Sequence, residues 1–164
     1  MAIKVGDKIP NVDVMLATAD GPQKTNTMDV LGRGKVALFS VPGAFTPTCS
    51  AKHLPGFVDR ADDLKKKGVE KIVCMAVNDA FVMKAWGQAQ NALGKVDMLA
   101  DGNGDFARAL GLQMDGKGFG MGERSKRFAA VLDNGVVKEL FVESPGAFEV
   151  SSADYMLSKL RFLE

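Results

Sequence analysis

Apolar side chains in this sequence fall into short continuous blocks separated by stretches of helical spacing, and that alternation sets the first expectation. Lys35–Val41 (KVALFSV) is mostly apolar and β-prone, bounded by Gly32-Arg33-Gly34 and Pro42-Gly43, and predicts a buried strand. Ser50–Lys67 predicts a helix, because Leu54, Phe57, Val58, Ala61 and Leu64 recur three and four positions apart. Its end, Lys65-Lys66-Lys67 before Gly68, is a helix stop. Pro55 inside it predicts a kink or a displaced first turn. Glu70–Val77 predicts a second strand, carried by the run from Ile72 to Val77, after which Asn78 or Asp79 caps a helix to about Ala92. Val96–Ala100 predicts a third strand and Gly104–Leu110 a short helix closed by Gly111. Arg127–Leu132 and Val136–Val142 flank Asp133-Asn134-Gly135, a strong hairpin signal. Ser151-Ser152-Ala153-Asp154 opens a last helix through Leu163, with Asp154 placed like the acid of a capping box.

The resulting order is β-α-β-α-β-α, a β-hairpin, then α. Strands alternating with helices pair in parallel, and the hairpin adds antiparallel strands. The expected fold class is α/β: a mixed central sheet with helices on both faces. Neither a linker, a low-complexity block nor an internal repeat divides the chain, so one domain over 1–164 is expected.

Composition narrows the function classes. The 164 residues carry 21 basic and 20 acidic side chains, with 46% apolar and 25% charged, ordinary for a globular domain. That balance gives no reason to expect nucleic-acid or membrane binding. The longest apolar runs fall far short of the roughly 18 residues of a membrane span. The start, Met1 to Lys8, has no apolar segment and no arginine but carries Asp7, so neither a secretory signal nor a transit peptide is read, and a cytoplasmic location is expected. Cys49 and Cys74 lie in different surroundings without a CxxC pairing, which suggests reduced thiols, one of them chemical.

Reactive groups in such sheets gather beyond the carboxyl ends of the strands. The segment Pro42-Gly43-Ala44-Phe45-Thr46-Pro47-Thr48-Cys49-Ser50 follows the first buried strand and puts Cys49 in or beside the first turn of a helix. Unpaired N–H groups and the helix dipole favour a thiolate there. Pro47 stiffens the approach, and Thr46 brings a hydroxyl three residues before the thiol. Location alone leaves two readings: a nucleophile, or the small buried hydrophobe that most cysteines are.

The run Val41 to Ser50, followed by His53-Leu54-Pro55-Gly56-Phe57, closely resembles the peroxidatic motif of the peroxiredoxins, in the wording of the peroxiredoxin-5 (type II, atypical) subfamily. Val77 to Val82, Leu99-Ala100-Asp101 and Ser125-Lys126-Arg127-Phe128 extend the resemblance over most of the chain. It implies a thioredoxin-like fold, in agreement with the element order. It also implies a thiol peroxidase that reduces hydrogen peroxide and alkyl hydroperoxides, acts without a metal or prosthetic group, and forms a homodimer. Carried over, Cys49 is the peroxidatic cysteine, oxidised to a sulfenic acid; Thr46 orients the peroxide; Arg127 holds thiolate and substrate oxygens; Pro42 shields the pocket. Without the motif, Arg127 would read as a solvated arginine of the basic run Arg124–Arg127.

Cys74 is the only internal thiol that could reduce the sulfenic acid. It lies inside a run apolar on both faces, about 10 Å short of the level of the Cys49 loop at some 3.3 Å per residue, and disulfides need Cα atoms within about 7 Å. Animal members of the subfamily resemble this chain but carry a resolving cysteine in a late loop, where Glu143–Ser152 here has none. The expectation is a one-cysteine cycle regenerated by glutathione with glutaredoxin, similar to the plant and bacterial branch, with thioredoxin as the other candidate reductant. Two further classes stay open: a peroxide sensor or redox-regulated binding protein using Cys49 as a switch, and a disulfide reductase, against which the missing CxxC counts.

His53, one helical turn after Cys49, reads as a supporting residue ahead of a base. Cys49, Cys74 and His53 lack zinc-ligand spacing, so no metal is expected. Gly102-Asn103-Gly104-Asp105-Phe106-Ala107 matches a dinucleotide-binding wording but reads as turn and cap chemistry. Gly116–Gly122 reads as a mobile loop near the pocket, Lys65–Lys67 as a solvated helix end, and Phe81, Trp86 and the methionines as core.

Overall fold

The protein is described from a computed structural model over residues 2–160. Two strands, β1 (Asp13–Thr18) and β2 (Gly21–Asn26), precede α1 (Thr27–Leu31) and β3 (Lys35–Ser40). A π-helical turn (Cys49–His53) leads into α2 (Leu54–Asp59) and α3 (Ala61–Lys66). Next come β4 (Lys71–Ala76), α4 (Ala80–Ala89), β5 (Asp97–Ala100) and α5 (Asp105–Leu110). The small pair β6 (Gln113–Asp115) and β7 (Glu123–Ser125), the hairpin β8 (Phe128–Asp133) and β9 (Val136–Val142), and α6 (Ala153–Leu160) follow. The chain thus has the thioredoxin-like α/β fold expected of it.

The main sheet has the order β2-β1-β5-β4-β3-β8-β9. The strands β3, β4 and β5 are parallel, and β1 and β8 add to this centre antiparallel. The central strands are buried on both faces, which is why β3 and β4 read as continuous apolar runs rather than alternating ones. Period-two geometry then splits them between two cores. Ala37, Phe39, Cys74 and Ala76 face α2, α3, α4 and α6, while Val36, Leu38, Val73 and Met75 face α1 and α5. Phe39 and Phe57 stack at 4.0 Å, both fully buried, each worth about 1.5–3 kcal/mol by burial. Cys49 and Cys74 belong to the same core, on the α2/α6 side.

The β8–β9 turn is the expected one: Asn134 and Gly135 take φ of 50° and 82°, the left-handed pair a two-residue hairpin needs. Asp79 caps α4, accepting from Val82 N–H at 2.9 Å. Asp101 accepts from the Phe106 and Ala107 N–H groups at 3.0 and 2.8 Å, so a carboxylate of the chain fills the start of α5 where a phosphate would bind.

Several expectations need correction. The strands β1 and β2 were not anticipated, because GPQKTN of β2 is a polar edge strand with Pro22 and no apolar alternation. The helix expected over Ser50–Lys67 is three pieces. Pro55 has no N–H for the Ala51 carbonyl, the ladder before it widens so that Leu54 N–H reaches the Cys49 carbonyl, and Arg60 breaks the rest. Phe81 is not core: at the start of α4 it is 71% exposed, whereas Trp86 is fully buried. Ser152 Oγ accepts from Tyr155 N–H at 3.1 Å, but Asp154 turns away to Arg60 at 2.9 Å, so no capping box closes. Of the last helix, the part expected beyond Leu160 lies outside the described residues.

Candidate active site

Beyond β3 the chain crosses the carboxyl end of the sheet and turns into a helix. Val41 N–H pairs with the Met75 carbonyl at 3.1 Å, extending the contact with β4. Gly43 then gathers the turn, its carbonyl accepting from Thr46 Oγ1 at 2.6 Å and Thr46 N–H at 3.4 Å. Asn78 Oδ1, from the end of β4, accepts from Ala44 N–H at 2.9 Å. These bonds hold Phe45 at φ 65°, a left-handed conformation costing a non-glycine residue about 1 kcal/mol, with its ring 55% exposed. Strain maintained by that many contacts is a mark of a built loop. Arg124, from the strand after the glycine-rich loop, reaches the Pro42 carbonyl with Nη1 at 3.4 Å and the Met121 carbonyl with Nε at 2.9 Å, which sets Gly116–Gly122 against the turn.

Helical geometry begins at Pro47, a position that needs no N–H, and Ser50 N–H closes on the Thr46 carbonyl at 2.9 Å. Cys49 therefore lies in the first turn, fully buried. Next to it Ser50 Oγ accepts from the Trp86 indole N–H at 2.9 Å, tying this turn to α4.

Arg127 comes from the opposite side, one residue before β8. Its Nη2 donates to Cys49 Sγ at 3.1 Å, and its Nη1 lies 2.8 Å from His53 Nδ1. Its Cζ stands 5.8 Å from the centre of the Phe148 ring. No carboxylate ion-pairs with Arg127 among the described residues, so its positive charge is directed at the sulfur. A guanidinium donor on a thiolate is a charge-assisted bond, the stronger kind of hydrogen bond.

His53 is fully buried among Phe39, Phe57 and Phe148, with ring centroids at 4.9, 5.8 and 5.1 Å. Burial first, and the Arg127 charge second, push its pKa down to about 3, against a weaker pull from the Ser151 carbonyl. The ring is thus neutral at working pH. Arg127 can only donate and a carbonyl can only accept, which fixes the tautomer: Nε2–H donates to the Ser151 carbonyl at 2.9 Å, and Nδ1 accepts from Arg127. With its lone pair occupied, His53 has nothing left for taking a proton from Cys49. It anchors Arg127.

The depressed pKa has a stability consequence. An unfolded histidine takes up its proton near 6.5 and the folded one near 3, so the unfolded state binds more protons between them. The neutral ring's contribution is complete above about 6.5 and is lost as pH falls toward about 3. Urea titrations across that window should show the wild type losing stability with acid more steeply than His53→Gln. Parallel curves would contradict the neutral assignment.

Cys74 is fully buried in β4, beside Phe39 of β3 and Met98 of β5, and is a free thiol. Burial pushes its pKa well up; Cys49 adds to this and Arg127 partly offsets it. A thiol held protonated is a poor attacking group.

The structure brings Cys49, Arg127 and His53 into direct contact, with Thr46 and Pro42 in the turn alongside. Sequence reasoning did not single out Asn78 as a brace of the turn, Arg124, Phe148 or the Ser151 carbonyl. Asn78 was visible only as a candidate cap, and a backbone carbonyl has no residue-type signal.

The Redoxin family model matches residues 4–157. The chain is 48% identical over 159 residues to peroxiredoxin-2B of Arabidopsis thaliana, covering 96% of this chain and 98% of that protein. It is 52% identical to chloroplastic peroxiredoxin-2E-2 of Oryza sativa subsp. japonica over 96% of this chain and 72% of the relative. The solved structure of reduced Prx3 in complex with H2O2 from Vibrio vulnificus matches with a TM-score of 0.92 at 52% identity, over 96% of this chain and 99% of that one.

Proposed function

The chain belongs to the peroxiredoxin family of thiol peroxidases, and from that premise we propose that Cys49 reduces hydrogen peroxide and alkyl hydroperoxides in a one-cysteine cycle regenerated by glutathione and glutaredoxin. The observation that carries this reading is the Arg127 N–H on Cys49 Sγ at 3.1 Å. The Cys49 thiolate attacks one peroxide oxygen and the O–O bond breaks. Sulfur is oxidised to the sulfenic acid, and the departing oxygen leaves as water or an alcohol after taking a proton. Arg127 stabilises the thiolate and then the charge growing on the departing oxygen. The Thr46 hydroxyl has its proton engaged by Gly43, so its lone pairs are free to accept from the peroxide O–H and orient it. Pro42, its carbonyl tied to Arg124 Nη1 at 3.4 Å, is the residue of the turn to which this reading gives the shielding of Cys49.

A glutathione thiol then displaces water from the sulfenic acid to give a mixed disulfide. A second thiol, from glutaredoxin or glutathione, releases Cys49 and leaves with the oxidised sulfur. The burial of Cys74 and its raised pKa support an external reductant over an internal one. Such a cycle suits the cytosol, where glutathione keeps thiols reduced. Phe45, Phe81 and Phe119, 55%, 71% and 81% exposed around the carboxyl end of the sheet, fit a homodimer face, which sedimentation equilibrium of the wild type tests.

Steady-state peroxide consumption with glutathione–glutaredoxin and with thioredoxin, run in parallel, tests the reductant. Turnover with thioredoxin alone would reverse the assignment. Cys74→Ser should keep most of its turnover with glutathione and glutaredoxin. A buried hydroxyl costs about 1–3 kcal/mol, so Cys74→Ala is the companion variant. Loss of turnover in a folded variant of either kind would show that Cys74 resolves the sulfenic acid.

A further inference from the structure

Glu143 follows the last residue of β9 and is only 7% exposed, yet the chemistry above makes no use of it. Its backbone N–H donates to the Arg127 carbonyl at 3.0 Å. One carboxylate oxygen, Oε2, accepts from the N–H groups of Glu149, Val150 and Ser151 at 2.7, 2.8 and 2.8 Å, and from Ser151 Oγ at 2.7 Å. Burial by itself would raise this carboxyl, but these bonds outweigh it and leave it below its ordinary pKa, so it is ionised at neutral pH. The side chain curls the irregular segment 144–152 back toward the site. That segment delivers two groups: the Phe148 ring against His53 and Arg127, and the Ser151 carbonyl on His53 Nε2.

We propose that Glu143 is a positioning residue for the peroxidase reaction, acting through the Ser151 carbonyl and His53 to fix the direction in which Arg127 presents an N–H to Cys49. The inference rests on the peroxidase reading above. The chain of contacts is continuous, from Glu143 Oε2 to Ser151, from the Ser151 carbonyl to His53 Nε2, from His53 Nδ1 to Arg127 Nη1, and from Arg127 Nη2 to Cys49 Sγ. Each member fixes the next. Without the Ser151 carbonyl the imidazole is free to turn or change tautomer, and Nδ1 then stops accepting from Arg127. A guanidinium released at one N–H is no longer held at the angle the other needs. Glu143 also grips Arg127 from behind through the backbone, so both ends of the chain are referred to one residue.

The test needs no reductant. Trp86 is the only tryptophan and bonds to Ser50, the neighbour of Cys49, so its fluorescence in stopped flow is the readout of Cys49 oxidation by hydrogen peroxide. Glu143→Gln keeps the shape but removes the charge, leaving at best a neutral amide oxygen where four donors share a carboxylate oxygen. It should slow oxidation about tenfold, as small misplacements of a catalytic group do. His53→Leu should slow it at least as much, and the double variant should be no slower than His53→Leu, because the two act in series. The pH of half-maximal rate should rise equally in both single variants. Ser151→Ala, which removes one of the four bonds and leaves the backbone, is the second variant and should show a smaller loss that His53→Leu also absorbs.

Glu143→Gln or Ser151→Ala reacting at the wild-type rate would overturn the inference. So would multiplied losses in the double variant with an unmoved pH profile, the signature of loop stability alone. A wild type that does not react with peroxide at Cys49 would instead overturn the peroxidase reading itself.

Discussion

Cys49→Ser should reduce peroxide consumption to the buffer background with every reductant. The variant places a hydroxyl at the same point of the same turn, with Arg127 still aimed at it. A serine hydroxyl stays protonated at neutral pH, is a weak nucleophile without a general base, and forms no sulfenic acid. His53 does not serve as that base, because Nδ1 is taken by Arg127 and Nε2 by the Ser151 carbonyl. The side chain is fully buried and the replacement smaller, so the fold should persist with a modest loss of stability. Peroxide disappearance followed with glutathione–glutaredoxin and with thioredoxin checks the point. Residual multiple turnover in Cys49→Ser would move the chemistry to Cys74.

Arg127→Gln is the second large effect. The guanidinium makes two directed contacts, 3.1 Å to sulfur and 2.8 Å to imidazole, and no carboxylate among the described residues ion-pairs with it. Glutamine keeps a donor near Cys49 but loses the charge and one arm of the fork. Removing one preorganised donor of this kind costs about 10²–10³ in rate, and the second-order rate of Cys49 oxidation should fall in that range. Arg127→Lys restores the charge as a single point and not the fork, so it should recover only about tenfold. The ordering wild type, lysine, glutamine is the informative result. Equal rates for lysine and arginine would mean that charge alone matters and that the His53 contact is incidental.

The fold was legible in the sequence where burial dictated the residues. The runs in β3 and β4 are apolar because both faces of those strands are covered, and Asn134-Gly135 names its own turn. It was illegible at β2, whose GPQKTN is polar, largely solvated and paired in the sheet only with β1. The split of the helix expected over Ser50–Lys67 was half legible. Pro55 announced a disturbance, but not that the turn before it would widen until Leu54 N–H reached the Cys49 carbonyl. Phe81 reads as core because an aromatic at helical spacing is usually buried, whereas in the structure it stands exposed at the start of α4, beyond the carboxyl end of β4. At the site, Cys49 could be placed from its loop, and the motif drew attention to Arg127. His53 reads as a supporting residue ahead of a base, but what it supports has no local signal, since the Ser151 carbonyl that sets its tautomer lies far along the chain. Glu143 gave no signal, because one acid in a loop of Ser, Pro and Gly looks solvated until the loop closes over it.

The central claim is that Cys49 is the group peroxide oxidises. One equivalent of hydrogen peroxide given to the fully reduced wild type in the presence of a dimedone trap, followed by peptide mapping, tests it most directly. The account predicts the sulfenic adduct on Cys49, an unmodified Cys74, and no disulfide between them. An adduct on Cys74, or a Cys49–Cys74 disulfide formed faster than the trap reacts, would contradict it.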